Sequence, residues 1–169
     1  TNTFVSHLAA KNISREIRNE LLQALAHDAD GKGNSLDVMW QEFMFEAKAR
    51  GSLLLLVDMP KNVPETQREQ LDNRAAPFWT AIYPENVSEY EIAEDGKFNF
   101  VEFEGTYTEE NGDMVPCTWR FTREDWAAKN KEEKLLAEGE HPLGECPVLA
   151  FTEAGDFPYF GSFSAIADL

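Results

Sequence analysis

The chain has 169 residues, 43% of them hydrophobic and 12% aromatic, which suits one globular domain with a proper core and argues against a disordered segment. Thirty-one acidic residues against fifteen basic ones leave a formal net charge of −16. Such a balance argues against direct phosphate binding, which needs a basic patch, and against adsorption to anionic membrane; it suits solubility, a basic partner, or a wall to which DNA should not stick.

Thr1 to Ala10 reads as a lead-in, and Ile13 to Ala26 as a helix with Ile17, Leu21, Leu22 and Leu25 on one side. His27 to Asn34 is a polar, glycine-rich loop, after which Ser35 or Asn34 caps a second helix running to Arg50. In that helix Leu36, Trp40, Phe43 and Ala47 recur at a spacing that shares one face. Gly51 stands where a helix C-cap glycine belongs, with Arg50 as a cation in the last turn. Ser52 to Val57 is then an apolar run of strand length, stopped by Asp58, Met59 and Pro60, and reads as a strand buried on both faces. The rest of the chain is expected to pack on this helix–strand pair.

Lys61 to Ala76 is polar and reads as a surface loop with one helical turn at Glu65 to Leu71. Pro77 to Tyr83 reads as a second strand and Pro84 to Asn86 as a turn. From Val87 the pattern becomes all-strand. Val87 to Ile92 alternates, and Glu94-Asp95-Gly96 marks a hairpin. Phe98 to Tyr107 alternates with Phe98, Phe100, Glu102 and Glu104 on one side and Asn99, Val101 and Phe103 on the other. Asn111-Gly112 marks the next hairpin, and Val115 to Thr122 returns with Cys117, Trp119 and Phe121 on one face. Arg123 to Gly139 admits either a short helix or a hairpin. Pro147 to Phe151 is a last core strand, followed by an aromatic linker of Phe157, Tyr159, Phe160 and Phe163. Gly161 to Leu169 looks like the first turn of a further helix, so the expectation is a piece of a longer protein. The predicted architecture is α+β: one domain over 1–169, with two N-terminal helices packed on a mixed, largely antiparallel sheet with long β-hairpins.

Chemistry is sparse in this pattern. The loop from Asp28 to Met39 meets a calcium loop at positions 1, 3 and 6, through Asp28, Asp30 and Gly33. Lys32 at position 5 and Met39 at position 12 break the ligand set, so a plain helix–helix loop is the better reading. His7, His27 and His141 lie at no metal-ligand spacing. Cys117 and Cys146 form neither a disulfide framework nor a metal spacing, lack a local base, and read as buried small hydrophobes; two thiols in such a domain point to a reducing compartment. Glu85 to Asp113 holds ten acidic residues against Lys97 alone. Alternating with core residues and clustered at turns, they read as a solvated face and loop tips, or more sharply as a surface facing a polyanion or a basic partner. The residues suggest no signal peptide, no membrane span, and no catalytic, cofactor-binding or metal site, hence not an enzyme.

Three stretches together resemble the portal, or head–tail connector, proteins of tailed bacteriophages. The first is Asp28-Ala-Asp-Gly-Lys-Gly-Asn-Ser-Leu-Asp37 with Phe43-Met-Phe-Glu-Ala-Lys-Ala-Arg-Gly-Ser-Leu-Leu-Leu-Leu-Val-Asp-Met-Pro60, similar to a portal subgroup in which a loop and helix lead to a glycine and a strand ending in Val-Asp-x-Pro. The second is Arg74-Ala-Ala-Pro-Phe-Trp-Thr-Ala-Ile-Tyr-Pro-Glu-Asn-Val87, which resembles that subgroup's approach to a Tyr-x-Pro-Glu turn. The third is His141-Pro-Leu-Gly-Glu-Cys-Pro-Val-Leu-Ala-Phe151 with Ser164-Ala-Ile-Ala-Asp-Leu169, with Cys146 where the family often has an aliphatic residue. The resemblance implies the wing region of a portal subunit, cut before the stem helices, in the virion or in the host cytoplasm during assembly. It implies a self-assembled ring of about twelve copies, docking of the packaging terminase and head-completion proteins, and double-stranded DNA passing without sequence-specific binding. It brings no catalytic residues, cofactor or membrane. The competing reading is an acidic protein-binding module, a nucleic-acid mimic or partner-capture domain.

Overall fold

The computed structural model describes residues 14–59, 64–73 and 75–152. The chain divides into two compact units, Thr1–Ala81 with Ala150–Leu169, and Ile82–Leu149. The class is α+β, as the sequence predicts, with the strands of the described residues in two sheets of three and five. The lead-in Thr1–Ala10, the aromatic linker and the helical turn at Gly161–Leu169 fall outside the described residues.

The first unit is built around the predicted helix–glycine–strand sequence. Helix α1 spans Glu20–His27, α2 Leu36–Arg50 and strand β1 Ser52–Asp58. Helix α1 is shorter than predicted. Asn19 is its N-cap and accepts from the amides of Leu21 and Leu22, so the described residues before it, 14–18, stay non-helical, Ile17 among them. For α2 the cap is Ser35, whose Oγ accepts from Val38. Gly51 ends α2 at φ 90° and donates to the Ala47 carbonyl. That left-handed conformation costs a glycine nothing and lets the strand start within one residue of the helix.

The buried line on α2 is Met39, Phe43 and Ala47; Leu36 and Trp40, expected on that stripe, are half-buried. Phe43 stacks on Trp79 with centroids 6.4 Å apart, and Trp40 meets Phe151 edge-on at 5.2 Å. Each such ring pair adds about 0.5–1.5 kcal/mol beyond its buried area. Strand β1 lies centrally, between β2 (Phe78–Ile82) and β8 (Val148–Thr152). Leu53 and Leu54 are wholly buried and Leu55 and Leu56 nearly so, as expected of a strand covered on both faces. Each leucine contributes about 1.5–3 kcal/mol by leaving water. Helix α3, Gln67–Asp72, is the predicted helical turn, capped by Thr66.

The second unit is a five-stranded antiparallel meander with its own core. Its strands are β3 (Val87–Ile92), β4 (Phe98–Thr108), β5 (Met114–Thr122), β6 (Asp125–Asn130) and β7 (Leu135–Glu140), in that spatial order. Both predicted hairpin glycines take positive φ, 79° at Gly96 and 90° at Gly112. The open choice at Arg123 to Gly139 resolves as a hairpin, β6–β7, turned through Asn130–Lys134.

Register places Val101, Phe103, Gly105 and Tyr107 opposite Phe121, Trp119, Cys117 and Val115 on one face. Trp126 and Ala128 continue that face across β6. Phe103, Trp119, Phe121 and Trp126 form a ladder of rings with centroids 5.8–6.5 Å apart. Phe98 departs from the predicted alternation. It is buried like Val101 and Phe103, because the β3–β4 pairing shifts between Glu91 and Ile92.

Candidate functional site

The loop between α1 and α2 uses its carboxylates on itself. Asp28 Oδ1 accepts from the Gly33 amide at 2.7 Å. Asp30 Oδ1 accepts from the amides of Lys32 and Asn34, and Oδ2 from the Asn34 side chain at 2.6 Å. Slight burial works to raise the Asp30 pKa, but these hydrogen bonds outweigh it and hold the carboxyl below its usual value. Gly31 and Gly33 supply the positive φ that the turn needs, 68° and 98°. The Ala29 carbonyl accepts from the Trp79 amide at 2.7 Å, tying the loop to β2. The arrangement is a self-bonded helix–helix connection. Among the described residues no three His, Cys, Asp or Glu side chains gather as a metal site.

Beside this loop a cavity of about 270 Å³ is lined by Ala24, His27, Asp28, Gln70, Leu71 and Phe78, among others. Two of its polar side chains are already engaged, Asp28 by Gly33 and Gln70 by the Pro64 carbonyl. Cys117 and Cys146 are free and buried, and burial raises both thiols above their usual pKa, which keeps them protonated and poor nucleophiles. Cys146 Sγ donates to the Phe121 carbonyl at 3.6 Å. His141 is a brace: its amide donates to the Glu124 carbonyl and its Nε2 lies 3.2 Å from the Thr122 carbonyl, pinning the β5–β6 turn.

What the sheet does assemble is charge. Residues 82–149 carry seventeen of the thirty-one acidic residues and six of the fifteen basic ones. On the face opposite the rings, Glu89 pairs directly with Glu102 across β3 and β4, a like-charge pairing that costs stability. Arg120 relieves it. Its guanidinium bonds Glu102 at 3.1 Å and sits 3.8 Å from the centroid of the Phe100 ring. At one end of the sheet Arg123 holds Asp95, and Lys97 pairs with Glu145. By contrast Glu89, Glu104, Glu109 and Glu110 are exposed and form no ion pair among the described residues. The acid run is a solvated face with acidic turn tips, as the alternation predicts. The part played by Arg120 was not picked out from the sequence, although its place between Trp119 and Phe121 assigns it to the same face as Glu102.

No helix among the described residues is long and apolar enough to cross a membrane. A scan against protein-family models finds no match to this chain, and a search of curated proteins likewise finds none.

Proposed function

We propose that this chain is part of the subunit of a tailed-bacteriophage portal, the ring through which double-stranded DNA is packaged and ejected. The observation that carries the reading is the unit from Asp28 to Asp58: a self-bonded Asp-Gly loop, a fifteen-residue helix, a left-handed glycine, and a buried strand, Ser52–Asp58, which the sequence follows with Met59-Pro60. Its sequence resembles the corresponding stretch of a portal subgroup, and the two further resembling stretches follow in the expected order. The charge is compatible with that role. A conduit must release its cargo, and each phosphate neutralised by a basic side chain would add a salt-dependent brake. In this reading the chain is a structural component without catalysis, its partners being other copies of itself, a packaging terminase and head-completion proteins.

The test is the mass of the full-length protein that carries this chain, measured by light scattering after size exclusion. A closed ring of about twelve subunits is the expected result, since repeated heterologous contacts close into cyclic assemblies. A monomer or dimer that persists across concentrations overturns the proposal.

A further inference from the structure

The turn between β4 and β5 sets two mutually reactive groups side by side. Asn111 is the one asparagine of the sequence that is followed by glycine. Both residues are exposed, and the acids Glu109, Glu110 and Asp113 stand exposed around them. The side-chain amide carbon of an asparagine lies within reach of the next residue's backbone nitrogen, and closing on it makes a five-membered ring. Gly112 leaves that nitrogen unhindered. It has no side chain of its own, and the space where a Cβ would stand is open, with nothing within 4 Å.

The closed turn keeps both reactants engaged elsewhere. The Gly112 amide donates to the Glu109 carbonyl at 2.9 Å, which holds the proton that the nitrogen must lose. Asn111 Oδ1 accepts from the Asp113 amide at 2.8 Å, and Asn111 Nδ2 donates to Asp113 Oδ2 at 3.0 Å, so the side-chain amide is fixed on Asp113. The Glu109 amide closes the turn on the Asp113 carbonyl at 2.9 Å. All five residues from Glu109 to Asp113 are exposed, and a loop tip shut by a few solvent-facing hydrogen bonds is among the first parts of a fold to open.

We propose that Asn111 is a self-modification site: when the turn opens, its side chain condenses with the Gly112 nitrogen, and the product hinders the turn from closing again. The Gly112 nitrogen gives up its proton to water and bonds Asn111 Cγ. The Cγ–Nδ2 bond breaks, and the amide group takes up a proton and leaves as ammonia. Water then opens the resulting succinimide at either of its carbonyls. Opening at Cγ gives aspartate; opening at the backbone carbonyl gives isoaspartate, whose main chain runs through Cβ and Cγ and is one carbon longer. Water is the only co-reactant. Either product carries a carboxylate in place of the amide, so Asp113 loses the Nδ2 donor and gains a like charge beside it, in a turn that already holds three acids. Isoaspartate in addition lengthens a turn that the Glu109 and Gly112 bonds close at a fixed length. This inference stands apart from the ring reading: it concerns the covalent chemistry of one subunit, and its test does not depend on assembly.

The test is tryptic peptide mapping of the protein held in mildly alkaline buffer, native and in urea. A gain of about one dalton in the peptide 98–120 is expected, divided between aspartate and isoaspartate, the latter recognised by its methylation with an isoaspartate methyltransferase. Because the reaction waits for the turn to open, the native protein should convert about tenfold more slowly than the protein in urea. Asn111→Gln, which could close only a six-membered ring, should abolish the gain although Asn99 remains in the same peptide. Asn111→Asp stands in for the product, and amide exchange at Glu109 and Gly112 should be faster in it than in the parent. The mapping of the unaltered protein gives its answer whether or not the variants fold. No gain in the native protein by the time the protein in urea has fully converted, equal rates in the two, a gain that persists in Asn111→Gln, or unchanged exchange in Asn111→Asp overturns the proposal.

Discussion

Trp126 lies flat against Gly139, its direct partner across β6 and β7. A methyl group at 139 would fall 2.9 Å from Cε2, Cζ2 and Nε1 of the indole. Gly105 makes the same bed for Trp119, with Cδ1 at 2.9 Å. Two of the large rings of the ladder thus rest on bare backbone.

Gly139→Ala should therefore destabilise the protein by about 1–3 kcal/mol, the ordinary cost of overpacking a well-fitted site. The cost is steric, since Gly139 is not among the glycines with positive φ. In a Trp126→Leu background the alanine should cost less than half as much. Urea unfolding of the four proteins of this cycle checks it; an unchanged cost in the leucine background would place the strain elsewhere.

Ser52 opens the central strand at 1% exposure, and its Oγ has no hydrogen-bond partner among the described residues. An unpaired buried hydroxyl is a cost that alanine does not carry. Ser52→Ala should stabilise by about 1 kcal/mol, seen as a melting temperature raised by about 2–4 °C. A lower melting temperature would mean that the hydroxyl has a partner in solution.

Asp58 ends the same strand half-buried, and burial raises its pKa, against a single hydrogen bond from the Met59 amide that works the other way. The native state then binds a proton more tightly than the unfolded chain does. Stability is lost as pH rises from the ordinary aspartate value, about 4, through the raised native one. Asp58→Asn keeps the acceptor for Met59 and carries no charge. It should melt higher than the parent at neutral pH, and the gap should close below about pH 4. Thermal melts between pH 3 and 8 test the sign.

Calcium at about a millimolar, enough to load weak sites, should leave the melting temperature unchanged. The oxygens that would bind it in the Asp28–Asn34 loop already accept the loop's own amides. A clear rise with calcium, absent with magnesium, would show that the loop exchanges those bonds for a metal.

The sequence was most readable where local chemistry and tertiary demand agree. Gly51, Ser35, Gly96 and Gly112 each sit at a turn or cap that needs that residue type, and the structure uses each one so. The hairpin of β6 and β7 was not legible. Its turn, Asn130-Lys-Glu-Glu-Lys134, has no glycine, and Glu133 takes the left-handed conformation itself at φ 60°. Its strands are rich in alanine, lysine and glutamate, which favour helix when isolated; pairing with β5 overrides that preference. Phe98 misled for another reason, because a shift in pairing moves a side chain across the sheet without any mark in the alternation. At the candidate site the acidic face was legible as alternation. The Arg120 bridge to Glu102 was not, because it depends on how β4 and β5 align, which is a property of two strands together.

Pro116 has one more effect, on the order of events as the chain folds. If β4 and β5 closed one residue out of step, Pro116 would stand where β4 requires an N–H, and Cys117, Trp119 and Phe121 would all turn to the charged face. Both penalties fall on the same mistake. Hairpins form and dissolve in about 1–10 μs, so a misaligned pair has time to come apart before β6 commits to it. The proline thus acts as a proofreader of the first pairing, and the remaining strands are laid down on a template already checked.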